Sequence, residues 1–418
     1  MTLTLMSSFT VSSMTEKIDS RQHSFPWVPI LVLSAATMLM VTAEMLPAAV
    51  LGPMSSGLGV NESATGALVS IWAVVVMIAS LPLSTFARRW RARPVIVFAL
   101  AALAVSSVLT AIAPTFAVVI LGRVLGAASV GLLWATVNAY AADIVPDRLL
   151  GRAMAMVLGG GTLGMVIGTP LGRLFADASD WRFAFFILGS ALAAAAAAVR
   201  FVVPLQDRTR PIATSRGRGR LAGTGRLGIV TVLVAVTLIG HYGAYTFITR
   251  LAAPAATALP GGMSTALLVF GVASAVGLLA AARVGQSTAK ALIVSLAVTA
   301  FAVAALTVAS SPAISVLVVL LWGLGSGAFP PLAQTLILRI AGPEQRDFAG
   351  ALIPVLFNGG IAVGAGAASA LVGAGGPMTL PIPAAIVILA ATVTLTIVEV
   401  LRPRSEVSAP LPHTEPAA

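Results

Sequence analysis

Twelve apolar runs, each about twenty residues or longer, take up most of this chain. They lie at about 27–51, 64–86, 94–113, 116–140, 153–175, 183–203, 227–249, 263–283, 291–309, 313–337, 348–373 and 382–401. A helix rises 1.5 Å per residue, so roughly twenty residues cross the hydrocarbon core of a bilayer. No water is available there to satisfy backbone N–H and C=O groups, so each run must close its own hydrogen bonds as a helix. Turn residues punctuate the runs: Gly52-Pro53, Pro114, Pro146-Asp147, Pro204, Pro260-Gly261-Gly262, Ser311-Pro312, Gly342-Pro343 and Gly375-Gly376-Pro377. The expected fold is an all-α membrane protein with twelve transmembrane helices. Only 9% of residues are charged, against about 25% in soluble domains.

Arginine placement sets the orientation. With the N-terminus inside, 21 of the 25 basic residues fall on the inner side, whereas Arg173, Arg182 and Arg250 fall outside. The expected location is a bacterial inner membrane, with both termini cytoplasmic. Residues 1–26 read as a polar tail, 27–203 as a six-helix half, 204–226 as an Arg/Gly-rich cytoplasmic linker, 227–401 as a second six-helix half, and 402–418 as a tail. An offset of 197 residues superposes Gly126 on Gly323, Pro146 on Pro343 and Asp147 on Glu344, which points to two six-helix pseudo-repeats. The net charge of +11 belongs to the membrane edges and lipid headgroups, so no nucleic-acid partner is expected. There is no cysteine and there are three histidines, two of them (His23 and His413) in the tails, so neither a metal site nor another cofactor is expected.

The charges inside the spans are few. Glu44 in span 1 and Arg123 in span 4 each lie about 10 Å below the outer surface. An intramembrane charge costs roughly 2.5–3.5 kcal/mol, so the default reading of Glu44 is a functional, proton-exchanging site. Equal depth allows the two side chains to approach, either as a switch or as a static ion pair. Glu399 sits near the inner end of span 12, within reach of the headgroups. The repeat offset places Glu44 on His241, with Tyr245 one turn later on the same helix face. His241 is therefore the third proton-coupling candidate; the alternative is a neutral imidazole bonded to a neighbouring helix.

Span 5 carries Gly160, Gly164, Gly168 and Gly172 at four-residue intervals, followed through by Pro170. Such a bare face admits a closely packed helix, and Pro170 can bend the span. It serves packing in any case, and a functional reading has the seam open and close at the outer side. Trp134, Asn138, Tyr245, Phe357 and Asn358 are candidates for lining a cavity. Trp27, Trp90 and Trp181 suit an interfacial belt, whereas Trp72 and Trp322 lie inside spans.

At this point specific motifs emerge: Glu44-Met-Leu-Pro47, Leu121-Gly-Arg123-Val-Leu-Gly126, Gly168-Thr-Pro170-Leu-Gly172, Asp180-Trp-Arg182-Phe and Gly240-His-Tyr-Gly-Ala-Tyr-Thr246. Through them the chain resembles the twelve-helix drug/proton antiporters of the major facilitator superfamily, in particular the branch with arabinose-efflux-like, sugar-efflux and purine-nucleoside-efflux proteins. The resemblance covers all twelve spans and is more specific in the first half. It implies the major facilitator fold, a proton-linked acid at Glu44, the span 4 arginine at Arg123, and an antiporter motif at Gly164, Gly168 and Pro170. One departure stands out: the loop between spans 2 and 3, Leu83 to Arg93, keeps the arginines but lacks the family's usual acid.

The expected function is secondary transport, not catalysis: proton-coupled export of a small organic molecule (a drug, sugar or nucleoside) by a monomer. The partners are that substrate, protons and the lipid bilayer. A symporter or facilitator for uptake would use the same fold and carboxylate. An intramembrane enzyme or receptor is the remaining class; it would need a second catalytic group or a larger soluble domain.

Overall fold

A computed structural model describes residues 25–87, 89–145, 147–205, 225–284, 287–309 and 311–401. Most of the expected tails and of the 204–226 linker lie outside these residues. Among the described residues there is no strand, and twelve helices are long and apolar enough to cross a membrane. They are span 1 Trp27–Ala49, span 2 Glu62–Ser80, span 3 Ala92–Ala111, span 4 Phe116–Ala141, span 5 Arg152–Ala178 and span 6 Trp181–Val202. The second set is span 7 Gly225–Thr246, span 8 Gly262–Ala282, span 9 Thr288–Ala305, span 10 Pro312–Ala341, span 11 Val355–Gly375 and span 12 Pro377–Val400.

Two places differ from the expectation. The turn expected at Gly342-Pro343 is built from helical backbone, which continues from Pro312 to Gly375. A straight helix of 64 residues would run about 96 Å, far beyond a bilayer. Instead Ala341 and Ile353 pack into one apolar cluster with Leu227, Leu336 and Ile337, so the helical path doubles back. The other difference is in span 5, where Gly164–Gly168 form a π-helical turn immediately before Thr169-Pro170. Pro170 has no N–H to give the preceding turn, and its ring crowds the carbonyl four residues back. The wider turn accommodates that loss within the span.

The repeat is written in the backbone. Span 1 stops at Val50 (φ −112°, ψ 24°) and resumes as Leu51–Leu58. Span 7 stops at Phe247 (φ −110°, ψ 23°) and resumes as Ile248–Leu251. These breaks are 197 residues apart, the offset that relates Glu44 to His241. Each half also packs a glycine face onto its broken helix. Gly160, Gly164, Gly168 and Gly172 of span 5 lie against Ser34, Met38, Thr42 and Leu46 of span 1, while Gly360 and Gly364 of span 11 lie against Leu238 and Ile239 of span 7.

The two six-helix sets meet along two seams. Span 2 lies on span 11: Ser63 Oγ donates to the Ser369 carbonyl, and Ser70 Oγ donates to the Ala362 carbonyl at 2.6 Å. Span 5 lies on span 8: Gly271 leaves room for the Val166 backbone, and Ser264 Oγ donates to Asp177 at 3.4 Å. At the end of the bundle poor in arginine, Arg250 Nε also donates to Glu62 Oε1 at 2.6 Å, joining the sets directly. This hydrogen bond to the Glu62 carboxylate holds the Arg250 guanidinium above its ordinary range.

The chain has no native cysteine, which allows a direct check of this closure. Cysteines at Ser63 and Ser369 should cross-link rapidly under mild oxidation, since a disulfide needs Cα atoms about 4.4–6.8 Å apart. Reduction should reverse the accompanying loss of transport. Failure of the pair to form a disulfide would contradict the seam.

Candidate functional site

The centre of the site begins with a proline. Pro47 lies inside span 1 and has no N–H, so the carbonyl of Ala43 loses its helical donor. In hydrocarbon an unpaired carbonyl is costly. Arg123 from span 4 supplies the donors: its Nη1 donates to the Ala43 carbonyl at 2.6 Å and its Nη2 to the Glu44 carbonyl at 3.0 Å. The guanidinium is buried, 2% exposed, with its carbon 3.8 Å from the centre of the Trp72 ring of span 2. A desolvated cation–π contact of this kind contributes about 2 kcal/mol. Gly126 explains how the tryptophan fits, because a Cβ there would sit 2.8 Å from the indole.

The expected meeting of Glu44 and Arg123 therefore takes another form. The two lie within electrostatic reach of each other, but the arginine grips the backbone of span 1 instead of the carboxylate. Carbonyls outcompete the carboxylate because Pro47 has left one of them without a donor. Glu44 itself is 8% exposed, and no hydrogen bond or ion pair among the described residues engages its carboxylate. Its other electrostatic neighbours are Tyr242 and Tyr245, on span 7 of the opposite set.

His241 touches this group through Tyr242 and Tyr245, whose ring centres lie 5.0 and 5.9 Å from its own. Expected as a third proton-coupling candidate, it has an imidazole that is 3% exposed and enclosed by aromatic rings. Tyr242, Phe329 and Trp322 meet it edge-on at centroid distances of 5.0, 5.8 and 6.1 Å. Trp322 Nε1 donates to His241 Nδ1 at 3.3 Å, so the neutral ring carries its proton on Nε2. That is the neighbouring-helix alternative in structural form. The 197 offset conserves position along the helix but not what the opposing helices present.

The span 5 glycines pack closely, as their spacing predicts. Their face is filled by span 1, the helix that carries Glu44, within the same six-helix set. Thr37 Oγ1 donates to the Val157 carbonyl at 2.6 Å and Ser34 Oγ to the Met156 carbonyl at 2.8 Å, fixing the seam with hydrogen bonds. Other positions of span 5, Val166 and Asp177, face the opposite set. Pro170 is buried just beyond the π-turn, and Tyr245 reaches Thr169 beside it.

The remaining candidates divide between the sets. Trp134 is half-buried and lies 3.6 Å from where a Gly161 side chain would begin. Asn138 is one turn further along span 4, and its Oδ1 is buried without a partner. Phe357 packs on the apolar cluster of the second set, and Asn358 beside it is half-buried and engaged in an interaction. Sequence reasoning missed Tyr242, Trp72 and the Glu62–Arg250 pair. The signal for the first was its adjacency to His241 in an aromatic-rich turn, and for Trp72 its depth inside span 2.

Comparison with known proteins adds to this geometry. Residues 33–285 match the model of the Major Facilitator Superfamily. The chain is 31% identical over 355 residues to a chloramphenicol efflux pump of Mycobacterium tuberculosis, covering 81% of this chain and 86% of that protein. It is 25% identical over 358 residues to a "Probable sugar efflux transporter" of Helicobacter pylori, covering 82% and 87%. A solved structure with the same fold is a bacterial homologue of the human lysosomal transporter Spinster. It is 14% identical, with a TM-score of 0.72 over 89% of this chain and 96% of that one.

The link between Pro47 and Arg123 can be tested by a double-mutant cycle. Arg123→Gln should lower the melting temperature, since an abandoned buried carbonyl costs on the order of 1–3 kcal/mol. Adding Pro47→Ala should recover part of the loss by restoring the missing N–H. Strictly additive losses would show that the two residues are unconnected.

Proposed function

The chain belongs to the Major Facilitator Superfamily, and from that premise we propose that it is a proton-coupled antiporter exporting a small organic molecule by alternating access. It is a multi-pass membrane transporter. Export as the direction, protons as the coupling ion and an uncharged aromatic drug as the cargo are the further steps of the proposal. The observation that carries it is the state of Glu44. Its backbone is clamped by Arg123, while among the described residues no ion pair or hydrogen bond engages its carboxylate, which lies within electrostatic reach of the two tyrosines of the opposite set. A carboxylate locked in a salt bridge would serve packing; one held by its backbone alone is free to exchange a proton for a ligand.

The arginine-rich end is proposed as the cytoplasmic face. The Ser63–Ser369, Asp177–Ser264 and Glu62–Arg250 contacts would then close the external side, leaving the cytoplasmic side as the one from which substrate enters. Substrate would load from that side against Glu44, Tyr242 and Tyr245. The two sets would next tilt about the span 2–span 11 and span 5–span 8 seams. External protons would then reach Glu44 and displace the substrate outward. The span 1–span 5 glycine seam and the Arg123 clamp keep Glu44 fixed within its own set as that set moves. The chloramphenicol efflux relative supports an amphenicol-like cargo, and a single monomer carries both sets.

Inverted membrane vesicles with an imposed pH gradient test this reading. Wild-type protein should accumulate chloramphenicol when the interior is acid, and Glu44→Gln should lose gradient-driven accumulation while retaining exchange of labelled for unlabelled drug. Full gradient-driven accumulation by Glu44→Gln would remove the carboxylate from the coupling.

A further inference from the structure

At the arginine-rich end, away from the central site, spans 3 and 6 enclose a half-open recess of about 430 Å³. Its walls are Arg91, Arg93 and Arg200, with Pro94, Val97, Phe98 and Leu205. We infer that this recess binds the phosphate headgroup of an anionic phospholipid, with an acyl chain descending along Val97 and Phe98.

Three observations carry the inference. The first is clustered positive charge. Arg93 donates from Nη1 to the Val203 carbonyl at 3.1 Å, and its Nε is buried without a partner. Arg200 lies 5.8 Å from the centre of the Phe201 ring and makes no hydrogen bond or ion pair with the protein among the described residues. The spans 2–3 loop that supplies Arg91 and Arg93 contains no acid of its own between Leu83 and Arg93; Asp143, at the end of span 4, shares electrostatic reach of Tyr140 with Arg93, so the recess keeps an excess of arginine over acid. Phosphate oxygens are the natural acceptors for converging guanidinium forks.

The second observation is position. Span 3 starts at Ala92 and span 6 ends at Val202, so the recess lies at the level where the hydrocarbon gives way to headgroups. Phe98 and Phe201 are 70% and 81% exposed, as apolar residues facing lipid would be. A free anion would use the arginines and leave this apolar wall bare, whereas a phospholipid uses both. Basic pockets between helix ends on the cytoplasmic side suit such headgroups. Three arginines also disfavour a quaternary ammonium headgroup, so the anionic lipid should be preferred over the zwitterionic one.

The third is construction. The back wall is pinned by the Arg93–Val203 bond and by Tyr140 of span 4, whose hydroxyl donates to the Pro204 carbonyl at 2.6 Å. Spans 3, 4 and 6 are thus tied together where the chain leaves the first six-helix set. A lipid bridging Arg93 and Arg200 would brace that exit, a role independent of the transport direction proposed above.

Native mass spectrometry of the full chain in detergent tests the site with phosphatidylglycerol, phosphatidylcholine and inorganic phosphate. The expected result is several-fold greater retention of phosphatidylglycerol than of phosphatidylcholine, undiminished by millimolar inorganic phosphate. Arg93→Gln and Arg200→Gln should each reduce that retention several-fold, and Arg283→Gln, a remote exposed arginine, should not. Arg200 is exposed and makes no hydrogen bond or ion pair among the described residues, so its variant keeps the test decisive if Arg93→Gln misfolds. Equal phosphatidylglycerol retention by wild type and Arg200→Gln would overturn the site. Displacement of the lipid by inorganic phosphate would overturn its assignment to a lipid.

Discussion

A proline in the middle of a membrane helix and an arginine that answers it are what the rest of this site depends on. Pro47 removes one backbone donor from span 1, and the bilayer offers no water to replace it. Arg123 reaches across from span 4 to the Ala43 and Glu44 carbonyls. Its charge is spread over the face of Trp72, which fits because Gly126 leaves space for it. One buried cation thereby holds three helices together at the level of Glu44. The clamp acts on the backbone of Glu44 and spares its side chain, so the carboxylate keeps its position without losing its chemistry.

The second half repeats the geometry with different occupants. The break at Phe247 matches the break at Val50 in its torsions, and span 11 packs its glycines on span 7 as span 5 does on span 1. At the level of Glu44, however, the second half places His241 against Trp322 in an aromatic enclosure. The second-half side chains within electrostatic reach of Glu44 are Tyr242 and Tyr245. Two similar scaffolds thus make an asymmetric site, with an acid in one and an aromatic wall in the other. That asymmetry suits a ligand with one polar edge and one aromatic face.

The fold was legible because hydrocarbon leaves so few choices. Spans, their order and the weak 197-residue repeat follow from apolar run lengths, turn residues and the obligation to satisfy the backbone. The importance of Glu44 was legible from its cost. Its partner was harder to read. Equal depth along two helices gives no azimuth, and depth alone cannot tell a carboxylate from the backbone carbonyl of the same residue. The missing donor at Pro47 was present in the sequence as the clue that a cation would be drawn to the backbone. The span 5 glycines announced a close neighbour without saying which helix it would be. His241 was assigned by offset, but its surroundings come from spans 7 and 10, whose side chains do not repeat those of the first half.

Ligand-induced proton release from the detergent-solubilised protein tests the central claim most directly. In weak buffer with a pH indicator, chloramphenicol added to the wild-type chain should release protons, and added to Glu44→Gln it should release none while still binding. Equal release from both proteins would contradict the account, because the exchanged proton would then belong to a group other than Glu44.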